Sequence, residues 1–264
     1  MPINQRYINK SGQDIYLLGD VRIRKDVAEL KRNIEGKCDG YSIKSDARKI
    51  IEKNYENILH PDTTTITEFF YPLLVQVFYI ERKERNPETI NYLTDILSSR
   101  FVSMTNIPTT RREFTAYMYH QNVGVEKRTL THEQFGALAL FNSGILFVYN
   151  QGARKVLNQE YFREMGKAAY QNASIDATNT TLKELYSWIS HSFMFYEDGL
   201  RDMSARFIFG GQGEMIVNEL IDKESLVKNS PTEENILAKG RIQKIFIEGS
   251  DRTNKYQELR TRYG

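Results

Sequence analysis

Two acids and a lysine carry the most reaction-like spacing in the chain. Asp62 follows Pro61, and Glu81 stands two residues before Lys83. Two carboxylates can hold a Mg²⁺ ion, and a nearby ammonium can neutralise charge while a phosphodiester is attacked. Alternation along a strand would put Glu81 and Lys83 on the same face, toward one metal. Glu52, on the preceding helix, could supply a further acid. The same residues also read as ordinary surface. Pro61 then stops a helix, and Glu81-Arg82-Lys83-Glu84-Arg85 is a solvated charge run after a core element. The two readings part on whether 61–83 forms strands or a helix.

A second pattern interleaves arginine with aromatic rings. Arg111-Arg112-Glu113-Phe114 precedes Tyr117 and Tyr119, and Arg201 precedes Arg206-Phe207. Guanidinium groups contact phosphate while rings stack on bases, so Arg111, Arg112, Tyr117, Arg201 and Arg206 are candidate nucleic-acid contacts. Against this, the chain holds 16 Tyr and 14 Phe, enough to place some rings beside arginines by number alone.

Other motifs fall short of their chemistry. Gly210-Gly211-Gln212-Gly213 is followed by Glu214 and Met215, where a phosphate loop needs Lys and Ser or Thr. His132-Glu133 lacks the second histidine of a helical zinc site, and neither His120 nor His191 has a spaced partner that suggests a triad. Cys38 is the single cysteine, so no intramolecular disulfide forms, which suits a reducing compartment. The first residues carry no apolar run, so no secretory signal is read, and the glycosylation-type matches at Asn9, Asn172 and Asn179 are taken as chance. The apolar stretch 69–80 is interrupted by Pro72 and Gln76 and is shorter than the ~18 residues a membrane span needs. Lys and Arg number 36 against 34 Asp and Glu, so no chain-wide basic excess favours nucleic acid, and little net charge keeps copies apart.

The elements that must position these residues are mostly helical. Val27, Leu30 and Ile34 recur at helical spacing before Gly36, and a second stripe (Ala47, Ile50, Ile51, Tyr55, Ile58) follows Ser45. Thr65 and Glu68 have capping-box spacing, which tips the ambiguous run 69–80 toward helix despite Pro72. Asn86-Pro87 opens another helix, with Ile90, Leu93, Leu97 and Phe101 on one side. Thr131 with Gln134 caps an apolar segment broken at Asn142-Ser143-Gly144. A helix over 153–170 follows, then one capped by Thr181 with Glu184 and carrying Leu182, Leu185, Ile189, Phe193 and Tyr196. Further helix is expected from Leu200 through Phe207 and over 215–220. Short strands are expected near 14–24, 114–125 and 241–247. The fold class is therefore mainly α: a multi-helix globular body over 13–248 with a few short strands and extended polar termini. The termini are an N-terminal arm at 1–12 and a C-terminal tail at 249–264, and a sub-boundary is expected near 103–110.

Two local resemblances bear on function. The order Asp62, Glu81, Lys83 resembles that of metal-dependent PD-(D/E)xK nucleases, which implies a Mg²⁺-dependent activity with these three as its site. Thr181-Leu182-Lys183-Glu184-Leu185, with Leu200-Arg201-Asp202 and Ala205-Arg206-Phe207, resembles the helical core of coat proteins from flexuous filamentous RNA viruses. That second resemblance uses common residue types and needs gaps, so it transfers no residue roles. Apolar helices are plentiful and convergent catalytic groups scarce. The leading expectation is a non-enzymatic structural or assembly protein, a subunit of a homo-oligomer or larger particle, viral or phage in its most concrete form. It would self-associate through its terminal arms, with nucleic acid as a further partner, without a membrane and without a cofactor. Such a protein is soluble and intracellular or part of a virus particle. The alternatives are the Mg²⁺-dependent nuclease and a binding module for another protein.

Overall fold

The computed structural model describes residues 7–8, 14–18, 21–36, 40–56, 65–84, 86–102, 131–145 and 159–208. The chain divides into two units, the first holding the described residues up to Val102 and the second those from Thr131 to Ile208. Both are mainly helical, as the sequence implies. Cys38, Asp62, Arg111, Arg112, Tyr117, the boundary near 103–110, the strands near 114–125 and 241–247, the helix at 215–220 and the tail at 249–264 lie outside the described residues.

The first unit opens with a three-stranded antiparallel sheet, β1 (Tyr7–Ile8), β2 (Asp14–Leu18) and β3 (Val21–Ile23), in the order β1-β2-β3. Tyr7 pairs with Ile15, so part of the expected arm is bound to its own chain, and Leu18 pairs with Val21, while the expected turn at Gly19-Asp20 lies outside the described residues. Helix α1 (Lys25–Glu35) buries Val27, Leu30 and Ile34. Helix α2 (Gly40–Glu56) starts before Ser45, because Ile43 extends the buried stripe of Ala47, Ile50 and Ile51 by one turn.

Helix α3 (Ile66–Leu74) opens with the expected capping box: Glu68 N–H donates to Thr65 Oγ1 at 3.2 Å, and Thr65 N–H to Glu68 Oε2 at 2.8 Å. Pro72 sits inside it, removing the N–H that would bond to the carbonyl four residues earlier. That carbonyl belongs to Glu68, and Asn54 Nδ2 donates to it instead at 3.0 Å. A side chain from α2 thus replaces the bond that proline deletes. The helix continues as a π-helical segment, Val75–Glu81, that buries Val75, Val77, Phe78 and Tyr79. It closes with Arg82 N–H bonded to Val77 O at 3.1 Å and Glu84 N–H to Phe78 O at 2.9 Å. Between them Lys83 takes a left-handed φ of 61°. The strand alternation considered for Glu81 and Lys83 is therefore absent, since 66–81 is helical. Helix α4 (Pro87–Val102) starts where Asn86 Oδ1 accepts from Glu88 N–H at 3.0 Å, and it buries Ile90, Leu93 and Leu97.

In the second unit, α5 (His132–Gly144) carries the expected Thr131–Gln134 capping box and then runs through the expected break. Asn142 turns its amide back onto Leu138 O at 2.9 Å, and Gly144 lets a neighbouring helix approach too closely for any Cβ. Helix α6 (Gln159–Asp176) runs past the expected end at 170, the expected start over 153–158 lying outside the described residues, and buries Phe162, Ala169, Tyr170 and Ala173. Helix α7 (Thr180–His191) is capped by Asn179, not Thr181: Asn179 Oδ1 accepts from the N–H groups of Thr181 at 2.8 Å and Leu182 at 3.3 Å. A break at Ser192 separates it from α8 (Phe193–Met203), whose last turn widens into a π-helical end, Ser204–Ile208. The expected stripe of Leu185, Ile189, Phe193 and Tyr196 is buried across that break, while Leu182 is exposed.

Candidate functional site

Three polar clusters form where these helices meet. In the first unit, Arg24 stands in extended backbone just before α1. Its guanidinium lies 3.2 Å from Asp26 Oδ1 and donates to Asn54 Oδ1 at 2.7 Å, and its backbone N–H donates to Glu68 Oε1 at 2.5 Å. Lys53 Nζ donates to the other oxygen of Asp26 at 3.1 Å. Burial pushes the Asp26 carboxyl up, but Arg24 and Lys53 outweigh it and hold the group below its usual range. For Glu68 burial wins over the Thr65 and Arg24 N–H groups, and its carboxyl is raised. The cluster pins β3, α1, α2 and α3 together at one point.

The second cluster surrounds Lys31, on the buried side of α1, with its side chain only 2% exposed. Its Nζ is 3.6 Å from Glu35 Oε1 and has no hydrogen-bond partner. Burial lowers the affinity of this amine for its proton, offset in part by the charges of Glu35, Glu88 and Asp95. Tyr71, on α3, is held protonated far above the ordinary phenol range by burial and by the nearby Glu35 and Glu88. Thr89 Oγ1 and both side-chain polar atoms of Asn91, on α4, are also buried without hydrogen-bond partners. Glu88, Asn91 and Asp95 share one side of α4 by spacing. The amine and phenol could exchange protons with a substrate in principle, but both are closed off from solvent.

The third cluster joins α6 to α8. Glu197 is fully buried, and its two oxygens face two guanidinium groups: Arg163 Nε at 2.8 Å and Arg201 Nη2 at 2.6 Å. Arg201 also meets Asp198 at 3.2 Å and donates from Nε to Ser143 O at 3.1 Å, which ties in α5. Each charge in the cluster is matched.

The residues singled out from sequence distribute as follows. Glu81 is exposed at the end of the π segment, where its Oε1 accepts from Gln76 at 2.8 Å, and Lys83 is exposed on the left-handed turn. Arg201 is held inside the third cluster. Arg206 lies at the surface, 3.0 Å from Asp202, with its guanidinium 4.8 Å above the Phe207 ring. The structure thus puts Arg201 and Arg206 on one helix but to different uses. His132 Nδ1 is 2.6 Å from Asp176 Oδ2, and His191 Nδ1 donates to Ser187 O at 2.7 Å. Among the described residues no three His, Cys, Asp or Glu side chains are placed to hold a metal ion, and no helix is long and apolar enough to cross a membrane.

Sequence reasoning missed Lys31, Glu68 and Glu197 as buried ionisable groups. Glu197 and Arg201 stand at i, i+4, a spacing that signals a pair, but burial depends on Arg163 arriving from another helix. The second unit also leaves large apolar side chains in solvent. Ile175 and Leu182 flank the α6–α7 turn, and Trp188 and Met194 flank the α7–α8 break. No family model, curated protein or solved structure compared with the chain matches it.

Proposed function

We propose that the chain is a non-enzymatic structural protein that assembles with copies of itself into a homo-oligomer or larger particle. The observation that carries this reading is the apolar surface of the second unit: Ile175 is 70% exposed, Trp188 53%, Met194 47% and Leu182 40%. Scattered apolar residues are common on any surface. Four large ones at two successive helix junctions, with the chain's single tryptophan among them, suit a surface meant to be covered. A formal net charge of +2 opposes such contact only weakly.

Residues 1–12 and 249–264 remain the proposed docking arms, although Tyr7–Ile8 is already committed to β2. Nucleic-acid contact draws no support from Arg201, whose guanidinium is taken by Glu197, Asp198 and Ser143 O. Light scattering on the full chain, separated by size at a series of concentrations, tests the proposal. The expected result is a mass above that of one chain, rising with concentration. A single-chain mass throughout would refute it.

A further inference from the structure

We propose that the exposed face of α7 is a twofold seam between two copies of the chain, the two helices antiparallel about a midpoint between Ser187 and Trp188. This rests on the self-association reading above and names the face that carries it. Residues three and four apart share one side of a helix. Thr181, Glu184, Trp188 and His191 therefore form one stripe, and all four are exposed. The other side faces the unit's own core. There Leu185 and Ile189 are buried, Ser190 Oγ donates to Lys167 O at 2.9 Å, and the Tyr186 ring lies 6.2 Å from that of Tyr170.

The order of side chains along the stripe selects the occupant. Glu184 and His191 stand equally far before and after the midpoint, so the stripe is complementary to itself when reversed. Antiparallel pairing sets each Glu184 opposite His191 of the other copy, twice, with the two Trp188 rings side by side between them. Parallel pairing would set like residue against like. A foreign partner would have no need of this symmetry. The ring of His191 is also prepared for the contact: Nδ1–H donates to Ser187 O at 2.7 Å, which leaves Nε2 for a carboxylate across the seam once the ring is protonated. Tryptophan is a common anchor of protein interfaces. Helix α7 has 12 residues and is about 18 Å long, so one crossing lies at the small end of specific interfaces.

The test uses the full chain and two readouts over a concentration series: mass by light scattering, and emission of the one tryptophan. Mass should rise while emission shifts to shorter wavelength as Trp188 leaves water. Trp188→Asp removes the fluorophore itself, so it is read by mass alone, and it should abolish the rise. Glu184→Lys should weaken association about tenfold by removing the carboxylate that meets the His191 ring, His191→Glu should do so by setting two carboxylates together, and the double variant should return to within about threefold of the original. Circular dichroism at concentrations where every protein is a single chain should stay unchanged and certify the fold. A chain that associates with no response to these variants would overturn the seam and leave the self-association reading standing. Singles that weaken without rescue in the double would overturn the antiparallel pairing. A single-chain mass at every concentration would overturn both readings.

Discussion

Gly144→Ala is a one-methyl change whose sign is contested by two effects. Alanine is the better helix former by about 0.5–1 kcal/mol in a helix interior, and by less at a last residue such as this one. Packing opposes it. A Cβ built at Gly144 would meet Leu200 Cβ at 2.7 Å and Glu197 O at 3.5 Å. Leu200 Cβ is fixed to the backbone of α8, so no side-chain rotation relieves the overlap. Reaching an ordinary contact near 3.4 Å requires α5 and α8 to separate by ~0.7 Å. Two hydrogen bonds cross beside that contact: Arg201 Nε to Ser143 O at 3.1 Å and Ser204 Oγ to Ile145 O at 2.9 Å. Stretched by that amount, both pass the usual limit. Overpacking typically costs ~1–3 kcal/mol and each weakened bond ~1 kcal/mol, so packing wins. The variant should be destabilised by about 2–3 kcal/mol, read as a lower urea midpoint with unchanged slope. Leu200→Ala should not rescue it, because the offending Cβ remains. Gly40→Ala is the control, with nothing within 4 Å of the added methyl. A Gly144→Ala protein as stable as the original would refute the close-approach account of α5 and α8.

Three further substitutions probe the clusters and caps. Glu197→Gln takes from Arg163 and Arg201 the anion they share and leaves Arg201 with Asp198. Because those side chains are 21% and 19% exposed, water relieves part of the strain, and the loss should be about 2–3 kcal/mol, below the range for a sealed pair. A midpoint unchanged in urea would show that the triad contributes nothing. Lys31→Met should be neutral or stabilising by about 1 kcal/mol near pH 7, since it removes a poorly satisfied buried cation. The folded state lowers this amine below its ordinary 10.5, so Lys31 contributes stability only at high pH and loses it as pH falls through the folded value. The advantage of Lys31→Met should therefore shrink as pH is raised toward 10.5, and a gap that widens instead would reverse the assignment. Asn179→Ala should cost about 1 kcal/mol through loss of the α7 cap, while Thr181→Ala should cost at most a few tenths; equal effects in thermal melts would refute the assignment of the cap.

Local periodicity made much of this fold readable. The stripes through Val27, Leu30 and Ile34 and through Ile90, Leu93 and Leu97 are buried as their spacing implies, and the capping boxes at Thr65 and Thr131 both form. Where the reading failed, a residue outside the motif decided the outcome. Asn142-Ser143-Gly144 looks like a break because glycine and asparagine are poor helix formers. The helix continues because α8 packs against the bare Gly144 backbone and α8 side chains take up Ser143 O and Ile145 O. Thr181 with Glu184 matches a capping box, yet Asn179 two residues earlier satisfies two N–H groups with one oxygen and starts the helix sooner. Over 66–74 the expected helix forms despite Pro72, and Asn54, 14 residues from Glu68, takes up the carbonyl that the proline leaves without its helical donor.

Arg201 shows why a candidate site is harder to read than a fold. An arginine near aromatic residues has the same local pattern whether it contacts phosphate or a carboxylate of its own protein. What separates the two is the position of an acid brought in by packing. Here Glu197 lies one turn back on the same helix, and Arg163 closes the other side from α6. A carboxylate shared by two guanidinium groups in a fully buried position is costly to form and contributes little net stability. Its geometry couples the helices, because the register of α6 against α8 brings Arg163 within 2.8 Å of Glu197 while Arg201 reaches Ser143 O at 3.1 Å. Helix α7 connects α6 to α8, and Ser190 bonds it to Lys167 O at 2.9 Å, so that register also sets which side of α7 faces outward. The internal charges and the exposed tryptophan are thus linked: the ion cluster orients the helix, and the helix presents Trp188 with Glu184 and His191 on either side.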